Sequence, residues 1–294
     1  MALKFMNNYF YGKAGKKDFT ESDLPTNRFR LFGDVLKVRW GSMVSLNLLY
    51  MLIWLPAAVW TMLNIGVIFT QAASEEAADL SGYLTTYLLV LFPLIAITGP
   101  FNIGASYVAR NWARDEHAFV WGDFKDAMKQ NWKQALLYSV IEGAVPLVLA
   151  LTLRFYLTMS AQSFVFFLPA GLLILLGVVW KLAAMLMPTM IVTYDLKFRG
   201  IVRNAVIMSL AALPRAVAIK LATLVIPLLA FLLFRFVPSS LTTIFPIASC
   251  LYGLFLLAFN KLLIGSYANY ACEKYLNPKI EGARTNIGLR PDIK

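Results

Sequence analysis

The chain has 294 residues, of which 59% are hydrophobic and only 15% charged, and its mean hydropathy is +0.65. Soluble domains carry about 25% charged residues, so this apolar excess excludes an ordinary water-soluble core and points to a polytopic membrane protein. The net charge of +11 would suggest nucleic acid as partner of a soluble protein, but here its distribution decides its meaning.

Residues 1–43 form an N-terminal segment with eight bases: Lys4, Lys13, Lys16, Lys17, Arg28, Arg30, Lys37 and Arg39. No apolar run of signal-peptide length precedes those charges, so the first membrane helix is expected to act as its own insertion signal. A crossing helix needs about 20 mostly apolar residues. Six stretches qualify, at about 44–70, 84–108, 135–157, 164–192, 216–236 and 241–272. The expected fold is therefore an all-α transmembrane bundle over residues 44–272. Every span carries proline: Pro56, then Pro93 and Pro100, Pro146, Pro169 and Pro188, Pro227, and Pro246. Proline removes a backbone donor and kinks a helix, and neighbours must satisfy the freed carbonyl. Six kinked helices can enclose a cavity or pack as a solid bundle.

The loop QAASEEAADLSGY after the first span has three acids and no base. Bases gather instead after the second span (Arg110, Arg114, Lys125, Lys129, Lys133), after the fourth (Lys197, Arg199, Arg203, Arg215, Lys220) and in the tail, residues 273–294. The Lys/Arg asymmetry of short loops predicts that both termini are cytoplasmic. Bases spread over every cytoplasmic segment suit insertion and anionic lipid headgroups. With no recognised motif beside them, they speak against nucleic acid.

The loop after the second span predicts an amphipathic helix at about 121–135. Trp121, Phe124, Met128, Trp132 and Ala135 recur at spacings of three and four, with Lys125, Lys129 and Lys133 in a row on another face. Asp123 is the expected N-cap, and Asp126 favours the helix dipole. Such a helix lies in the membrane interface or docks a partner.

Three stretches carry a family resemblance: NRFRLFGDVLKVRW (27–40), LNLLYMLIWLP (46–56) and ITGPFNIGASYVARNWARDEHAFVWGDFKDAMKQNWKQA (97–135). Their Thr98-Gly99-Pro100, Arg110-Asn111, Glu116-His117-Ala118-Phe119 and Asn131-Trp132-Lys133-Gln134 motifs resemble the YesL family of bacterial integral membrane proteins. The resemblance implies no catalytic residues. It implies association with sugar ABC importers, hence a part in carbohydrate uptake.

Ionisable groups within spans are functional candidates: Glu142 in the third, Lys181 in the fourth and Lys261 in the sixth. Either lysine can meet Glu142 at similar depth, as a substrate or proton site or as a neutralised pair fixing helix register; the lysines can also snorkel. Asn64, Asn102 and Asn260 can bond between helices, and Gly99-Pro100 is expected to bend the second span. Cys250 and Cys272 fall on one helix, roughly 33 Å apart, too far for a disulfide. With His117 the only histidine, no metal site is expected. No phosphate loop, nucleophile elbow or dinucleotide fingerprint occurs, so neither enzyme chemistry nor a cofactor is expected. The leading expectation is a non-enzymatic subunit that stabilises or regulates the permeases of a carbohydrate ABC importer. Its partners would be membrane lipid, the permeases and their ATPase, and the sugar only indirectly. Trp121, Phe124, Met128 and Trp132 would be the docking stripe, with Lys125, Lys129 and Lys133 beside it. The alternative is an independent transporter or channel using Glu142, Lys181 and Lys261. Third comes an ABC permease, from DLKFRGIVRNAVIMSLAALP (195–214), faintly like the ATPase-docking loop of such permeases.

Overall fold

A computed structural model describes residue 20 and residues 23–73, 80–237 and 241–290. The acids Glu75, Glu76 and Asp79, the lysines Lys4, Lys13, Lys16 and Lys17, and Lys294 lie outside the described residues. Among those described, the regular structure is entirely helical. In chain order the α-helices are α1 (Arg28–Val38), α2 (Trp40–Ala73), α3 (Leu80–Ile97), α4 (Gly99–Trp112), α5 (Val120–Ser160), α6 (Phe167–Ile191), α7 (Phe198–Ala211), α8 (Leu213–Phe236), α9 (Leu241–Leu251) and α10 (Leu257–Tyr275). Five helices are long and apolar enough to cross a membrane, and α3 with α4, bent by 54°, makes a sixth if the pair is counted as one span. The fold is the multi-pass helical bundle that composition predicts.

Four features depart from the expectation. The amphipathic helix and the third span are a single helix, α5, of 41 residues. At 1.5 Å per residue it is about 60 Å long, twice a hydrocarbon core, so its first turns stand clear of the bilayer. Asp123 is not the N-cap: Phe119 holds that position, and the Asp123 carboxylate reaches back to accept its N–H at 2.7 Å. The basic segments around the spans are themselves structured, α1 before the first span and α7 after the fourth. The last crossing is interrupted by a π turn at Tyr252–Leu256.

Prolines sit inside α2, α3, α5, α6, α8 and α9 without ending them. Pro100 lies in the first turn of α4, and the carbonyls facing it and Pro188 find their donors on α5. Pro100 deprives the Ala96 carbonyl, which accepts from Ser139 Oγ at 2.5 Å. Pro188 deprives the Ala184 carbonyl, which accepts from Tyr138 O–H at 3.2 Å. Two consecutive residues of one helix thus mend two broken ones.

Buried side chains concentrate toward the end of the bundle that carries α1 and α7. One cluster joins α4, α5, α6, α7 and α10 through Ile103, Tyr138, Leu186, Met190, Ile201 and Ala268. The other joins α1, α2, α4, the start of α5 and α10 through Leu31, Leu46, Val108, Trp112, Phe124 and Leu262. Both meet on α4 and α10, where Gly104, Ala105, Ser106, Ala109, Gly265 and Ala268 let backbones approach closely. The far halves of α5, α6 and α8 expose Phe155, Leu172, Leu175, Leu228 and Leu232, the surface that lipid would cover. A polar joint ties the chain ends together. Arg28 pairs with Glu273, whose carboxylate also accepts the Asn286 N–H. Arg290 N–H donates to the Pro25 carbonyl. Gly288, at φ +80°, lies so close to the Arg114 carbonyl that a Cβ there would sit 2.7 Å from it.

Candidate functional site

The protruding part of α5 divides the expected docking stripe. Phe124 is 2% exposed and belongs to the protein's own core, and Met128 packs against that core. Both are therefore committed inward, with Ala127 and Ala135, and neither is free to meet a partner. Helical geometry explains the split: residues 124, 127, 131, 135 and 138 share one face, whereas 121 and 132, eleven apart, align about 20° from each other at its edge. Trp121 and Trp132 remain 63% and 50% exposed. Lys125, Lys129 and Lys133 are exposed beside them, and Lys133 Nζ lies 5.7 Å from the Trp132 ring centroid. Gln134 bonds the Leu196 carbonyl at 3.0 Å, fastening the stem to the chain entering α7. What stands outward is a rigid two-indole, three-ammonium face.

Glu142 pairs with Lys181, not with Lys261. Its Oε2 accepts from Lys181 Nζ at 2.8 Å and its Oε1 from the Trp180 indole N–H at 2.7 Å, so α5 and α6 are joined by both carboxylate oxygens. Lys220, counted from the sequence among the bases of the loop after the fourth span, lies instead on the crossing helix α8, within electrostatic reach of both charges. Both carboxylate oxygens are thus engaged across the α5–α6 contact. Glu142→Gln has one acceptor oxygen where the carboxylate has two, so it can accept from Trp180 or from Lys181 while its NH2 group faces the other donor; the charge and one bond are lost and part of the tie remains. A partly exposed pair is worth about 1 kcal/mol or less. Glu142→Leu strands both donors and is expected to cost clearly more. Melting temperatures in detergent should rank parent, Glu142→Gln and Glu142→Leu in that order, with Lys181→Met recovering part of the Glu142→Leu loss. Equal melting of all four would show that the pair carries nothing.

Lys261 has a separate setting, between α2, α4 and α10. Its ammonium donates to Asn102 Oδ1 and, at 3.2 Å, to Ser106 Oγ, and it lies 5.3 Å from the centroid of the Tyr50 ring. The residues around it belong to interrupted helices: α4 follows the bend at Thr98, and α10 follows the π turn. Asn47 of α2 holds that π turn open. Its amide donates to the Tyr252 and Gly253 carbonyls at 2.8 and 2.6 Å, and its Oδ1 accepts the Ala258 N–H at 2.9 Å. One side chain, fully buried, replaces a rung of the helical ladder. Asn64 joins α2 to α3 by accepting from Tyr83 O–H at 2.5 Å.

Outside the spans, Tyr194 donates to Asn277 Oδ1, and burial pushes its phenol well above the ordinary range, so it stays a donor. Arg110 and Arg114 both reach Glu116, at 3.6 and 3.4 Å, and Arg39 reaches its backbone carbonyl at 3.3 Å. The Arg-Asn and Glu-His-Ala-Phe motifs are thus tied into one turn by ion pairs, from which His117 and Phe119 stand exposed. Cys250 and Cys272 are both free thiols.

Fold and site together define a multi-pass helical membrane protein whose polar groups gather where its helices break. Residues 43–153 match the family described as proteins of unknown function, DUF624. That match runs from the start of the first crossing through most of α5. Neither the curated proteins nor the solved structures include a match to the chain.

Proposed function

We propose that this chain is a non-enzymatic integral membrane subunit that accompanies a carbohydrate ABC importer and stabilises or regulates its permeases, with both termini in the cytoplasm of a bacterial cell. The observation that supports it is the stem of α5, which presents Trp121, Trp132, Lys125, Lys129 and Lys133 outward while its opposite face is locked into the core. Exposed indoles beside ammonium groups suit an acidic, partly apolar partner surface, since tryptophan anchors dominate interface energetics and basic residues steer encounter. The YesL resemblance supplies the identity of that partner. The test is co-purification in mild detergent from the native membrane. Trp121→Gln with Trp132→Gln should cut recovery of permeases and ATPase about tenfold or more, and reduce sugar uptake, at unchanged abundance of the variant. Unchanged association and uptake would refute docking through this face.

One observation favours a second reading, independent transport. Lys261 lies among discontinuous helices, the arrangement that secondary transporters use at their binding sites. Purified protein in liposomes should then carry solute flux that Lys261→Met abolishes, and liposomes that stay sealed to every solute offered would dismiss this reading.

A further inference from the structure

Between α2, α3 and the π turn lies a cavity of about 510 Å³, lined by Trp54, Leu55, Ala58, Leu91, Ala248 and Leu257 among others. That volume falls within the range of small-molecule pockets. Its walls are almost wholly apolar, with Thr61, Ser249 and Tyr252 among the few lining residues that carry a side-chain hydroxyl. The Trp54 indole nitrogen is buried beside the Tyr50 hydroxyl. Tyr50 and Lys261 lie four residues from Trp54 and Leu257 along the same two helices. Residues so spaced share a face, about 6 Å apart along the axis. One turn below the apolar cavity, then, sits an ammonium whose partners are an amide oxygen, a hydroxyl and an aromatic ring. No carboxylate among the described residues forms an ion pair with it.

We propose that the cavity and Lys261 form a binding site for an amphiphile, an apolar chain bearing an acidic head, with the chain in the cavity and the acid on the ammonium. Two features fit that class. A cation at membrane depth without a counter-charge is costly, and an anion offsets the cost through a charge-assisted bond. A lysine stem is flexible enough to swing a turn toward the cavity, where neutral Asn102 and Ser106 are easily exchanged for a carboxylate or phosphate. A sugar, by contrast, would leave most of its hydroxyls against leucine and alanine. The site stands independently of docking by α5, whose indoles lie on another helix face.

The probes are oleate, the uncharged oleyl alcohol and phosphatidylglycerol, offered to the full chain in phosphatidylcholine nanodiscs. Saturable oleate binding is expected. Lys261→Met should weaken it about tenfold or more, leaving the weaker binding of oleyl alcohol unchanged. Ala248→Phe, which fills the cavity, should abolish both. Lys261→Arg keeps the charge and should retain oleate, which keeps the test valid if the methionine variant fails to fold. Displacement of oleate by phosphatidylglycerol would assign the site to a bilayer lipid, and its absence to a free fatty acid; both support an acidic amphiphile. The proposal is overturned by absent saturable binding, by equal affinities for oleate and oleyl alcohol, or by oleate affinity unaltered in a folded Lys261→Met protein.

Discussion

An Asn47→Leu variant is expected to melt about 10 °C below the parent protein in detergent, the loss of roughly 3 kcal/mol in a chain of this size. Leucine keeps the branched outline and suits the apolar surroundings but is bulkier, so no cavity is left and some overpacking adds to the loss. What disappears is a set of three hydrogen bonds, two to the Tyr252 and Gly253 carbonyls and one from the Ala258 N–H. Each buried group left unsatisfied costs about 1–3 kcal/mol, and relaxation of the π turn toward a regular helix recovers part of the sum. That relaxation makes a second expectation. The register of the helix on one side of residues 252–256 must shift by one residue, turning Lys261 relative to Met51 and Trp54. Oleate binding should therefore fall in Asn47→Leu even in the fraction that stays folded. Asn47→Gln, whose amide can still pair, should lie between the two. A melting temperature within 2 or 3 °C of the parent would mean that the turn is held by packing alone.

The crossings were legible in the sequence because each is a long apolar run, and no local signal competes with 20 such residues. The proline kinks were legible too, but not their repair. That Ser139 serves Pro100 and Tyr138 serves Pro188 depends on which helices lie side by side. The continuity of α5 across the membrane surface was missed for a simple reason: its amphipathic and apolar halves have different composition, and nothing between Trp121 and Pro146 breaks a helix.

The docking stripe shows the limit of periodicity. Spacing of three and four marks residues that share a face, but it cannot say whether that face meets a partner or the chain's own core. Phe124 and Met128 went inward because α4 brings Gly104 against Phe124, leaving only the edge tryptophans outside. Among the intramembrane charges, depth allowed Glu142 either lysine, and adjacency of α5 with α6 chose Lys181. Asn47 carried the same signal as Asn64, a lone amide in an apolar run. Its role in the π turn has no sequence signature, since nothing in YGLFL marks an extra residue per turn.

The larger effect is expected at Gly99, where α4 crosses α5. A Cβ at this position would lie 2.2 Å from Ser139 Oγ and 2.4 Å from the Ala135 carbonyl. The first can rotate away, at the loss of its bond to the Ala96 carbonyl. The second is backbone of a helix fixed by Tyr138, Gln134 and the core, and it cannot. Gly99→Ala must therefore push α4 from α5 or undo the bend at Thr98. Overpacking of this kind costs 1–3 kcal/mol or more in a core that yields, and here the neighbour is main chain. Gly99→Val, with two further methyl groups, should leave almost no monodisperse protein. Gly171→Ala supplies the control, because a Cβ there meets nothing within 4 Å and alanine is the better helix former. Size-exclusion profiles of the detergent-solubilised variants should show Gly171→Ala at parental yield, Gly99→Ala reduced several-fold and Gly99→Val aggregated. If Gly99→Ala elutes and melts like the parent, the close crossing of α4 and α5 is wrong, and with it the donation from Ser139 that mends the break at Pro100.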